Sequence, residues 1–228
     1  MGYQPKTELA RRMLIRALEQ GVKARWVTGD AVYGNSFRLR CALEERGQGY
    51  VFGVSGNTWA WQGTQQHAVS TLLATVKTAS ASNWTRLSAG AGCQGPRLYD
   101  WQLLAVNPPP VVGWQRGVLL RRSLDAQPQI SAFFIFAPEG TALADLALAA
   151  GARWAIERCF QESKSQLGLD QYEVRTWHGW YRHITLVMAA YAFLITLRRQ
   201  QLKKNLSLSL GGQCLKPFPW LNCDDGSP

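Results

Sequence analysis

Ala24-Arg25-Trp26-Val27-Thr28-Gly29-Asp30 is followed at close range by Asn35-Ser36-Phe37-Arg38-Leu39-Arg40, and then by Gly49-Tyr50-Val51-Phe52-Gly53-Val54. A short strand over 24–28 delivers Gly29 and Asp30 at its carboxyl end. Asn35 or Ser36 caps a helix running to 46, which Gly47 stops, and 49–54 forms a second strand. Upstream, Leu9, Met13, Leu14 and Leu18 recur at helical spacing and predict a helix over 7–21 that ends at a glycine. Helix, strand, helix, strand with short connections is the grammar of an α/β fold. Ligands gather at the carboxyl ends of strands in such sheets, so Asp30 stands where chemistry is placed.

From 55 to 130 the texture changes. Gly, Pro, Ser and Trp are scattered, turn signals fall at 90–95 and 108–110, and short strands are predicted over 97–105, 117–122 and 130–136. This stretch reads as a β-rich insertion. A helix follows over 141–167, with Gly168 as its C-cap. An apolar helix over 180–199 closes the folded part, and its longest apolar run, 184–197, is too short to cross a bilayer comfortably and reads as buried. The tail after 201 lacks a sustained period, and poor order is expected beyond 217. The expected organisation is therefore a partial core over 1–54, the insertion over 55–130, the rest of the core over 131–200 and a tail over 201–228.

Among the 228 residues, 25 lysines and arginines against 15 acidic residues give a net charge of +10. A field of that sign favours a polyanion partner. The five cysteines are scattered without a Cys-x-x-Cys pair, and the three histidines show no metal-binding period, which argues against a disulfide framework, a zinc site and a histidine-centred hydrolase. The amino-terminal residues lack an apolar secretion core and the myristoylation pattern. A cytoplasmic protein with no membrane partner is the expectation.

Arg153, Glu157 and Lys164 fall within about 40° of one another on a continuous helix. A carboxylate between two cations suits a divalent metal with phosphates gripped beside it, although a solvated salt-bridge helix has the same pattern. Glu8, Glu19, Glu44, Glu45 and Asp145 fall on predicted helices and read as solvent-facing. Asp30 and Glu157 stand apart by location, and together they can share Mg²⁺ through oxygen ligands. Arg175, Trp177, Trp180, Tyr181, Arg182 and His183 form an aromatic and basic run in which the two arginines are the better candidates for phosphate contact.

Thr28-Gly29-Asp30-Ala31-Val32-Tyr33-Gly34, Leu39-Arg40 and Tyr50 to Val54 resemble the region around the second catalytic aspartate of bacterial insertion-sequence transposases of the DDE type. Arg121-Arg122-Ser123, Gly151 to Glu157, Phe160-Gln161, Lys164, Gly168 to Arg175 and Trp180 to His183 resemble that family's block around its catalytic glutamate. The resemblance spans about residues 3 to 200, with its blocks in order. It implies an RNase H-like core carrying a β-rich insertion between the Asp30 and Glu157 regions. Asp30 and Glu157 are then catalytic metal ligands, and Arg153 and Lys164 match the cations of the signature Tyr-x2-Arg-x3-Glu-x6-Lys, whose tyrosine position is Ala150 here. Arg153, Lys164, Arg175 and Arg182 become the expected DNA contacts.

The family's first aspartate belongs on a strand ahead of the 7–21 helix, where this sequence offers none. The expectation is thus an incomplete RNase H-like core, the carboxyl-terminal part of a transposase, inactive alone. Its parent uses two Mg²⁺ ions to cut and join double-stranded DNA at transposon ends and target. Loss of the first strands exposes a sheet edge, so self-association, including a homodimer, is also expected. Tyr33 is expected beside the metal site or in the core, and Trp101 or Trp114 on a displaced base or in the core. The alternatives are a non-catalytic DNA-binding remnant that inhibits the intact transposase, and a two-carboxylate glycosidase. The cations beside Glu157 and the net charge argue against the glycosidase.

Overall fold

A computed structural model describes residues 3–78, 83–92, 95–173 and 175–209, the side chains of 77–78 and 202–209 excepted. The chain divides into two compact units, Met1–Arg153 and Trp154–Pro228.

The first unit runs α1 (Lys6–Glu19), β1 (Val27–Gly29), α2 (Ala31–Gly34), α3 (Phe37–Glu44), β2 (Tyr50–Val54), β3 (Trp59–Gln62), β4 (Gln65–Ala68), α4 (Val69–Thr78), β5 (Thr85–Gly92), β6 (Gly95–Ala105), β7 (Trp114–Arg122), β8 (Ile130–Pro138) and α5 (Leu143–Ala152). Six strands form one mixed sheet in the order β1-β2-β8-β7-β6-β5, and β3 pairs with β4 separately. Among the described residues only β1 and β2 pair parallel; β2 meets β8 antiparallel, with Tyr50 opposite Phe136. The strands of the 55–138 stretch therefore extend the sheet that β1 and β2 begin. The α/β class expected from the sequence is what the chain adopts, and its mixed sheet with several helices is consistent with an α/β nuclease-like fold.

Strand alternation sorts the core into two layers. Tyr50, Phe52, Val118, Leu120, Phe134 and Phe136 point to one face, where they pack with Leu39 and Leu43 of α3 and with Val69, Leu72 and Val76 of α4. Val51, Leu119, Phe133, Ile135 and Ala137 point to the other, covered by Leu146, Ala147, Ala149 and Ala150 of α5. Because both faces are buried, β2 and β8 are continuous apolar runs rather than alternating ones. Trp114 stacks on Phe136 with ring centroids 4.3 Å apart.

Several local features depart from the sequence reading. The turn after β1 closes a four-residue helix, α2, too short to show a period. Within the β-rich stretch stand the β3–β4 hairpin, turned at Gly63 with φ +61°, and the helix α4. On α1, Leu14 and Leu18 pack against the core while Leu9 and Met13 face solvent.

The second unit holds α6 (Trp154–Leu167) and α7 (Trp177–Ser209). The single helix expected over 141–167 is two helices, with Arg153 as the turn residue that closes α5. Gly168, at φ +66°, ends α6 as predicted. Tyr191 of α7 donates to Glu162 of α6 at 3.2 Å, and Arg158 and Arg198 each lie 3.7 Å from the same carboxylate. The expectation of a buried, short apolar helix is corrected. Among the described side chains of α7, Val187 is the buried hydrophobic one. The window Trp177–Gln201 is long and apolar enough to cross a membrane by length and composition, with 6% of it buried. The helix also continues to Ser209, past the expected start of the tail at 201, and residues 210–228 of that tail lie outside the described residues.

Candidate functional site

Asp30 follows directly on β1, at its carboxyl end, and begins the next element. Its side chain accepts a hydrogen bond from the Val32 backbone N–H at 3.0 Å, capping α2. That bond uses Oδ1. Among the described residues Oδ2 makes no hydrogen bond, and the residue is exposed, so one carboxylate oxygen is open to an external partner.

Two glycines fix where this carboxylate stands. A Cβ on Gly34 would lie 1.9 Å from the Gly53 carbonyl oxygen, so only glycine lets the end of α2 rest on β2. At Gly29 the missing side chain leaves room for the Phe52 and Tyr33 rings, each about 3 Å from where a Cβ would be. Tyr33 packs against the core cluster.

In the second unit, Glu157 lies in the first turn of α6 and Lys164 in its last, both exposed. Seven residues is nearly two full turns, so the two share a face. Arg153 is the turn residue at the end of the first unit. Arg175 is exposed just ahead of α7, and Arg182 is exposed within it. The neighbouring rings turn to one another: Trp177 and Trp180 stack at 5.4 Å, and Tyr181 meets both edge-on. His183 Nε2 lies 3.0 Å from the Gly168 carbonyl oxygen.

Two acidic residues prove to be buried structural groups. Glu44, expected to face solvent, is 7% exposed and accepts from the Tyr50 hydroxyl at 2.7 Å and from the Arg116 guanidinium. Asp100 bridges Arg86 and Arg122 at 3.0 and 2.9 Å. Trp101 is fully buried, its indole N–H donating to the Leu87 carbonyl at 3.2 Å, so it is unavailable for base stacking.

The donor chemistry of Asp30 and Glu157 suits a hard cation such as Mg²⁺, which takes oxygen ligands. Their number does not complete a site. Among the described residues no group of three or more His, Cys, Asp or Glu side chains is placed to hold a metal ion.

No curated protein matches the chain. Residues 1–73, which contain β1, α2 and Asp30, match the model of the DDE superfamily endonuclease family, and this part of the chain is supported as a DDE-type transposase-like domain.

Proposed function

We propose that the chain is part of an insertion-sequence DNA transposase whose parent cuts and joins double-stranded DNA at transposon ends by Mg²⁺-dependent phosphoryl transfer. The observation that carries this reading is the endonuclease-family match over residues 1–73, with Asp30 at the carboxyl end of β1. Asp30 would offer its open Oδ2 to a metal, and Glu157 a second carboxylate. When bound, Mg²⁺ activates the attacking oxygen and neutralises charge on the phosphate. Arg153, Lys164, Arg175 and Arg182 would neutralise and position backbone phosphates by charge-assisted contacts. The net charge of +10 supports a polyanionic substrate.

A second reading, a DNA-binding protein without catalysis that pairs with an intact transposase, is favoured by one observation. Among the described residues no three His, Cys, Asp or Glu side chains are grouped to hold a metal ion.

Duplex DNA binding followed by fluorescence anisotropy between low and moderate salt tests the shared part of both readings. The affinity should fall log-linearly with salt, with a slope near −0.9 for each phosphate neutralised. Salt-independent binding would overturn both. The chain alone should bind DNA without cutting it, whereas nicking of supercoiled DNA with Mg²⁺ that is lost on Glu157→Gln would show that its own metal site is complete and would overturn the second reading.

A further inference from the structure

A cleft of about 770 Å³ opens in the first unit between α3, the sheet face of β7 and β8, and the β3–β4 hairpin. That volume is in the range of sites that enclose an organic ligand. It stands on residues that the proposed phosphoryl transfer does not use.

Its charged lining is unbalanced. Glu44 and Arg116 both line the cleft, but they neutralise one another. Arg40 remains. Its guanidinium donates to the Gly34 carbonyl oxygen and lies over the Phe134 ring at 4.7 Å, and among the described residues it has no salt bridge. Burial lowers its pKa from the usual value. The nearby Glu44 carboxylate also acts on Arg40, but it is already held by Arg116, so this half-buried cation is stabilised further by an anion that enters beside it.

The opposite wall is aromatic. Trp59 and Trp61 alternate with buried Ala60 on β3, so both indoles project from the same side of the strand, about 7 Å apart at their Cα atoms. Both are about half exposed, and neither makes a ring contact among the described residues. The hairpin that carries them is pinned before any ligand arrives: Asn107 donates its backbone N–H to the Trp61 carbonyl and its side-chain amide to the Gly63 carbonyl, both at 2.8 Å. Open rings on a fixed strand present a stacking surface at little ordering cost.

We propose that this cleft binds a ligand that joins a flat aromatic ring to one anionic group, of the size of a nucleoside monophosphate, with the ring against Trp59 and Trp61 and the anion on Arg40. A free mononucleotide and the phosphorylated end of a single strand carry the same chemistry. The site is independent of Asp30 and Glu157, and its test excludes metal.

Isothermal titration of the full chain with dTMP in EDTA should show saturable binding. Trp61→Ala and Arg40→Gln should each weaken it about tenfold, the loss of a stacking or charge-assisted contact, while Arg38→Gln, on the exposed side of α3, should leave it unchanged. Thymidine and inorganic phosphate, each carrying half of the chemistry, should bind more weakly than dTMP. A 5′-phosphorylated oligonucleotide that competes with dTMP, and does so only when Trp61 is present, identifies a strand end as the source; no competition identifies the free nucleotide. Because Arg40 also holds Gly34, a thermal melt accompanies that variant, and the exposed Trp61 supplies the independent arm. No saturable binding of either probe, or binding that Trp61→Ala leaves intact, overturns the proposal.

Discussion

Glu44 on α3 and Arg116 on β7, 72 residues apart in sequence, meet as a forked ion pair in which the arginine Nε lies 3.2 and 3.1 Å from the two carboxylate oxygens. The Tyr50 hydroxyl adds a third donor. This fastens α3 to the middle of the sheet. Removing one partner leaves a charge buried without compensation, so Arg116→Met should destabilise the first unit by about 3–5 kcal/mol in urea unfolding. The double variant Glu44→Leu, Arg116→Met should recover much of that loss; a loss in the double variant equal to the sum of the two single losses would show that the pair is not coupled.

Gly34→Ala should destabilise by about 1–3 kcal/mol or more, because its methyl group would meet the Gly53 carbonyl at less than contact distance. The same displacement lifts α2 from β2 and moves the Asp30 carboxylate. Unchanged melting of this variant would contradict the close approach.

The stability profile with pH should carry two identifiable limbs. Arg86 first, then Arg122, hold the Asp100 carboxyl below its usual value against the opposing cost of burial. The stability this contributes is present above about pH 4 and lost as the pH falls through the lower folded value. Burial first, and then the Glu44 carboxylate, push the Tyr50 phenol well above 10. Its contribution is full below about pH 10 and is lost as the pH rises. Denaturant titrations across pH should show Asp100→Asn flattening the acid limb and Tyr50→Phe the alkaline one.

If Lys164, Arg175 and Arg182 each neutralise one phosphate, each substitution to Gln should reduce the salt slope of DNA binding by about 0.9 and weaken all sequences alike. A change confined to one DNA sequence would point instead to base readout.

The features legible in the sequence were those with a local signal. Ser36, read as one of two possible caps, does cap α3 by accepting from Leu39 N–H at 3.4 Å, and the apolar runs of β2, β7 and β8 announced buried strands. Glu44 reads as solvent-facing because nothing beside it in the chain signals burial; its counter-charge comes from a distant strand. The break at Arg153 was invisible for a different reason. Its φ of −53° and ψ of −35° are helical, so the periodicity runs through the turn undisturbed. For Asp30, the position behind a short strand was readable, whereas the close approach at Gly34 required the fold.

β1 contributes three residues and pairs on one side, with β2. Opening it sacrifices few hydrogen bonds, so its amides should exchange with solvent well before those of β7 and β8. Asp30 thus hangs on a short, one-sided margin of the sheet. A strand docking on that margin would slow exchange and stiffen the carboxylate in one step, making the site's rigidity a property acquired through pairing.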